Sequence, residues 1–96
     1  MRKYEIMYIL KADLDEAGRQ DAIEKLNAIL EGKGAKVNKV DTSMGLRDLA
    51  YEIKKETKGF YVVLKVSAEE DALKEFTRLV SINPVVLRHL IVVDQD

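Results

Sequence analysis

The sequence predicts an α+β fold in which a four-stranded antiparallel sheet carries two helices on one face. Two observations support this fold. Apolar and polar residues alternate over 2–10, and every second residue is apolar over 60–66, which is the period of a β-strand. Apolar residues recur at helical spacing over 22–30 and 73–80, between the strand-like stretches. The order of elements is therefore β-α-β-β-α-β.

The first part of the chain predicts a strand followed by a helix. Arg2 to Leu10 is the strand, with its even-numbered positions toward the core. Asp13 precedes Glu16 by three residues, which resembles a capping box at the start of the helix. Gly32 and Gly34 are expected to end the helix, because glycine adopts the left-handed cap conformation without strain.

The middle of the chain predicts a long hairpin. Ala35 to Val40 begins the second strand, and Leu49 to Ile53 continues it after an irregular interval at 41–43. Lys54 to Gly59 is polar and is expected to form the turn. Phe60 to Val66 is the third strand, with Phe60, Val62, Leu64 and Val66 toward the core.

The last part predicts a second helix and a final strand. Ser67 and Glu70 have the spacing of a capping box, and Asn83-Pro84 ends the helix because proline disfavours helical conformation in the residue before it. Val85 to Val93 is the fourth strand. With right-handed crossovers this order gives the ferredoxin-like split βαβ as a single domain, residues 1–96.

The sheet face without helices, here called the open face, is the predicted functional surface. Seven apolar side chains are expected on it, enough for a contiguous patch of the kind that marks an interaction site. The sequence therefore predicts a sheet that binds a partner. The seven are Met7, Ile9, Tyr61, Val63, Leu87, Ile91 and Val93.

Composition limits the class of protein. The net charge is −1, which argues against a protein that binds nucleic acid without help, although 33–65 holds eight Lys or Arg against four Asp or Glu. There is no cysteine, so disulfides and thiolate metal sites are not expected. No apolar stretch suits a signal peptide or a membrane span. A cytoplasmic protein without metal or cofactor, and with no membrane or small-molecule substrate, is predicted.

Three short motifs invite a chemical interpretation. Lys58-Gly59-Phe60-Tyr61 resembles the start of an RNA-reading strand. However, every second residue from Phe60 to Val66 is apolar, which indicates a core strand instead. His89 is the only histidine, so no catalytic residues are assigned. Lys54, Lys55 and Lys58 are interpreted as a solvated turn or, alternatively, as phosphate contacts.

Four segments together resemble the bacterial small-subunit ribosomal protein six family along the whole chain. They are the opening 1–5, the stretch Gly45 to Ile53 that contains "LAYEI", Gly59-Phe60-Tyr61, and the closing Leu87 to Val92. The resemblance implies binding to the central domain of 16S ribosomal RNA as a pair with small-subunit ribosomal protein eighteen. By matching position, it implies RNA or interface roles for Arg2, Lys3, Arg47, Arg88 and His89.

The sequence departs from the family at two basic positions, which have become apolar and acidic. Where the family usually reads tryptophan-glycine-lysine-arginine-arginine, this chain reads Met44-Gly45-Leu46-Arg47-Asp48. Weaker attraction to phosphate is expected, and Leu46, Tyr61 and Val63 are the predicted interface with a protein partner. Two alternatives stay open on the residues alone, a ferredoxin-like domain that binds a small regulatory ligand and a small dimeric enzyme of the α+β-barrel kind.

Overall fold

A computed structural model describes residues 1–94 and confirms the predicted fold. The sheet is antiparallel throughout, with strand order β2-β3-β1-β4. Within residues 1–94, neither helix is long and apolar enough to cross a membrane. The elements are β1 Arg2–Lys11, α1 Glu16–Gly32, β2 Lys36–Ile53, β3 Glu56–Ala68, α2 Glu70–Ser81 and β4 Val86–Val93.

The core lies between the two central strands and the two helices. On β1 the even-numbered Ile6, Tyr8 and Leu10 are fully buried, and they pair with Leu64, Val62 and Phe60 of β3. Directly paired residues in an antiparallel sheet point to the same face, so both strands turn these side chains toward the helices. The predicted core faces of β1 and β3 are confirmed.

Both predicted capping boxes are wrong in detail. The N-cap of α1 is Asp15, whose Oδ1 accepts a hydrogen bond of 2.6 Å from the backbone N–H of Gly18, so Asp13 lies outside the helix. The N-cap of α2 is Glu69, because β3 continues through Ala68 and keeps Ser67 in the sheet. Neither error changes the order of elements.

The prediction that Leu87, Ile91 and Val93 of β4 lie on the open face is also wrong. Ile91 pairs with Ile6 and packs against the core, and Val93 pairs with Tyr4 on the same side. Leu87 lies in a bulge and is only 5% exposed. The open face instead receives the residues paired with Ile9, Met7 and Glu5, which are Arg88, Leu90 and Val92.

The hairpin of β2 and β3 is tighter at its tip than predicted and more irregular along β2. The turn consists of Lys54 and Lys55 alone, both at positive φ (50° and 67°), and β3 begins directly afterwards. Gly59 therefore belongs to a strand and not to a turn. The pairing register of β2 shifts three times, and the largest shift sets four residues, 49–52, against the single residue Thr57.

Candidate functional site

The tip of the hairpin is tied to β4, although β2 and β4 are the opposite edges of the sheet. The guanidinium of Arg88 donates a hydrogen bond to the hydroxyl of Tyr51 and lies 5.9 Å from the centre of its ring. Lys54 Nζ donates to the backbone carbonyl of Val86 at 3.4 Å. Residues 49–52 make these contacts with β4 possible, because they leave the regular register and bend the end of β2 over the open face.

A pocket of about 280 Å³ lies beneath the bent tip, and we call it the hairpin pocket. Ile9 lies deep in it: although this residue is on the open face, it is only 6% exposed. The covering side chain is Leu49, which approaches Ile9 over the bare backbone of Gly59. The apolar and aromatic residues that line it include Met7, Ile9, Leu49, Tyr51, Tyr61 and Leu90.

Most of the residues predicted to contact RNA or the partner lie at this end of the sheet. Arg47, Lys54, Lys55 and Lys58 lie on the hairpin, and we call them the basic tip. Arg88 lies across the sheet from them and is joined to the hairpin through Tyr51. His89 is next to the hairpin pocket but pairs with the core residue Tyr8, so its side chain is on the helix side of the sheet. Partial burial lowers the pKa of His89, which favours the neutral imidazole.

Arg2 and Lys3 lie at the other end of the molecule. β1 runs away from them toward the hairpin, and the eight residue steps from Lys3 to Lys11 span roughly 25 Å at the rise of a strand. Arg2 borders a shallow depression in which the N-terminal ammonium is 3.5 Å from a carboxylate oxygen of Glu69. The structure therefore brings six of the eight predicted contacts together and leaves two apart.

The predicted partner residues fall on both faces of the sheet. Tyr61 and Val63 are half-buried on the open face, opposite Ile9 and Met7 of β1. Leu46 pairs with Phe60, on the side that carries the helices, and is 54% exposed. Because β2 is an edge strand, a partner that contacts all three has to wrap around that edge.

Charge divides the open face into two halves. Away from the hairpin, Lys65 Nζ lies 3.3 Å from Glu5 and 3.4 Å from Asp94. Hydrogen bonds to these two carboxylates raise the pKa of Lys65. The hairpin half carries apolar side chains and the cationic Arg88, so the two halves differ in the kind of surface they can bind.

Tyr51 is one of the site residues that sequence reasoning missed, together with Leu49 and Leu90 of the hairpin pocket. The sequence predicts a regular strand there, whereas the structure leaves Tyr51 59% exposed and in contact with Arg88. The only local signal is the departure from strict alternation around 41–53. Within residues 1–94, His, Asp and Glu nowhere form a cluster of three that suits a metal ion.

The element order and the sheet order define a protein of the ferredoxin-like fold class. Residues 3–93 match the family described as Ribosomal protein S6. The chain is 50% identical to the small ribosomal subunit protein bS6 of Halalkalibacterium halodurans and 46% identical to that of Shouchella clausii, each match covering all of both chains. The crystal structure of 30S ribosomal protein S6 from Thermotoga maritima is similar with a TM-score of 0.89 and 31% identity, over 97% of this chain and 87% of that one.

The chain belongs to the ribosomal protein S6 family, bS6 of the small ribosomal subunit. The predicted family is therefore confirmed, together with the ribosomal location. A protein of this family is structural and not enzymatic, which removes the enzyme alternative.

Proposed function

We propose that this chain binds the central domain of 16S ribosomal RNA as a pair with small-subunit ribosomal protein eighteen. The observation that carries the proposal is the meeting of the basic tip with an apolar pocket at one end of the sheet. Cations such as Lys58 attract phosphates, and the apolar half of the open face suits a protein. With a net charge of −1, the chain gains most of its RNA affinity from its partner.

The test measures binding of central-domain RNA at one fixed salt concentration, with and without recombinant protein eighteen. The chain alone is expected to bind weakly, and the partner to raise the affinity by orders of magnitude, because each protein supplies part of the RNA surface. Tight and specific binding by the chain alone contradicts the pairing. An unrelated basic protein replaces the partner as the control.

Matched lysine variants test the position of the RNA surface. Lys58→Gln removes one charge from the basic tip, and Lys25→Gln removes one from α1, where Lys25 pairs with Asp21 at 3.1 Å. The first variant is expected to reduce the affinity of the pair for RNA and the second to leave it unchanged. Equal effects would mean that the RNA responds to net charge and not to the hairpin.

Leu46→Lys tests whether the partner wraps around the β2 edge. Leu46 is more than half exposed and its removal leaves the core intact. If the partner covers it, pairing in the absence of RNA weakens in calorimetry. Unchanged pairing would confine the partner to the open face.

A further inference from the structure

The hairpin pocket combines an aliphatic floor with a cationic rim. Met7, Ile9 and Leu90 form the floor, and the guanidinium of Arg88 lies at the edge. Within the described part of the chain, no Asp or Glu lines this pocket. The pocket is therefore complementary to an apolar group that stands next to a negative charge.

The pocket is already formed in the isolated chain. Arg88 and Lys54 tie the hairpin tip to β4, and Leu49 rests close to the backbone at Gly59. A ligand entering a preformed pocket does not have to order the tip, so less binding energy is lost to conformational entropy. This arrangement suits the anchoring point of an interface.

We propose that the hairpin pocket receives one bulky apolar side chain of the protein partner, next to a carboxylate that Arg88 binds. The proposal rests on the pairing proposed above and names the chemistry of its central contact. Arginine and tyrosine at the rim of a desolvated pocket are typical of the few residues that dominate interface energies. The side chain of Arg88 donates a hydrogen bond to Tyr51, and a guanidinium carries five donors, so it can bind a carboxylate as well.

A protein side chain fits this pocket better than a nucleobase. Bases that leave the stack are held by aromatic platforms and by hydrogen bonds to their edges. Tyr51 and Tyr61 also line the hairpin pocket, but Arg88 already lies against the ring of Tyr51. Met7, Ile9 and Leu90 present no hydrogen-bonding side chains to the edge of a base. The phosphates are expected to lie on the basic tip, outside the pocket.

Filling the pocket provides the direct test. Ala50 lines the pocket and is exposed, so Ala50→Leu adds volume where the anchor would enter without disturbing the core. The matched control is Ala28→Leu, at an exposed position of α1. Calorimetry with protein eighteen and no RNA is expected to show about 10- to 30-fold weaker pairing for Ala50→Leu and wild-type pairing for Ala28→Leu.

The carboxylate is tested through the salt dependence of pairing. Arg88→Gln is expected to weaken pairing and to flatten its dependence on salt, because the charge pair is lost. Tyr51→Phe removes only the hydroxyl contact within the chain and is expected to keep the wild-type salt dependence. A flattened dependence in both variants would mean that Arg88 acts by holding the hairpin and not by binding a carboxylate.

The remaining outcomes separate this inference from the proposed function. If Ala50→Leu pairs with protein eighteen as tightly as the wild type in the absence of RNA, the proposal that a partner side chain enters the pocket is wrong. If that same pair binds RNA more weakly, the pocket is assigned to a nucleobase. If every variant pairs and binds RNA as the wild type does, the proposed pocket contact is wrong and the proposed function still stands. Absence of pairing by the wild-type chain overturns both.

Discussion

The side chain of Ile9 occupies the space next to Gly59 where any other residue would carry its Cβ. A Cβ placed on Gly59 would stand 2.3 Å from Cγ2 of Ile9 and 3.4 Å from Cδ2 of Leu49, well inside contact distance for Ile9. The backbone of Gly59 lies outside the left-handed region, so space and not φ requires glycine here. This close approach lets the hairpin cover Ile9.

Gly59→Ala is expected to lower the free energy of unfolding by about 1–3 kcal/mol, because the added methyl group overpacks the contact with Ile9. Urea unfolding provides the measurement. Gly32→Ala is the control, since no atom lies within 4 Å of a Cβ there. Ile9→Ala is destabilising by itself, but Gly59→Ala should cost less in the Ile9→Ala background than in the wild type, and strictly additive effects would show that the two residues do not interact.

Tyr8→Phe is expected to leave stability at pH 7 unchanged or to raise it by up to about 1 kcal/mol. The ring of Tyr8 is fully buried beside Phe76, but its hydroxyl has no hydrogen-bond partner among residues 1–94. Removing the oxygen keeps the packing and removes an unpaired polar group. A clear loss of stability in urea unfolding would show that the hydroxyl is stabilising.

The alkaline stability of the fold should depend on the same hydroxyl. Burial raises the pKa of Tyr8, so above pH 10 the phenol ionises in the unfolded chain before it ionises in the folded one. The unfolded state then binds fewer protons, and this group contributes a decline of about 1.4 kcal/mol per pH unit. Unfolding curves at pH 9 to 11 should show a smaller decline for Tyr8→Phe, with Tyr51→Phe as the control for an exposed phenol.

Lys55→Gly is expected to stabilise the fold by about 0.5–1 kcal/mol. A two-residue hairpin turn with positive φ at both positions favours Asn-Gly, and left-handed conformation is unfavourable for lysine. Thermal unfolding measures the increase, and Lys58→Gly, within β3, should instead destabilise. If the basic tip binds phosphate, the more stable Lys55→Gly variant also loses RNA affinity.

Asp48→Arg is expected to strengthen RNA binding by the pair and to steepen its salt dependence by about one unit of log–log slope for each additional phosphate bound. Asp48 stands opposite Lys58 on the hairpin, close to Arg47, so its charge opposes the basic tip. Binding measured over a salt series checks the slope. An unchanged slope would place Asp48 away from the RNA.

The sheet could be predicted from sequence wherever one face of a strand is buried and the other is not. Even-numbered residues of β1 and β3 show this period, and the predicted faces of both strands are correct. β4 carries apolar residues on both sides and one polar residue on each, Arg88 and His89, so its pattern does not distinguish its two faces. Pairing with β1 and the bulge at Leu87 decide it.

The pocket could not be predicted because it depends on irregular and distant contacts. Residues 49–52 leave the regular ladder, and alternation cannot place them on a face. Tyr51 and Arg88 lie 37 positions apart in sequence, on opposite edges of the sheet. The position of the basic residues on the hairpin follows from the sequence, whereas their separation from Arg2 appears only in three dimensions.

The repeated register shifts of β2 have a consequence for self-association. An edge strand with a broken hydrogen-bonding ladder is a poor template for another molecule, and β2 is interrupted three times. β4, the other edge, shifts only once, near its start, and exposes Leu90, Val92 and Val93. Aggregation by strand addition is therefore expected to begin at β4. Replacing Val92 with a charged residue is the substitution that would suppress it.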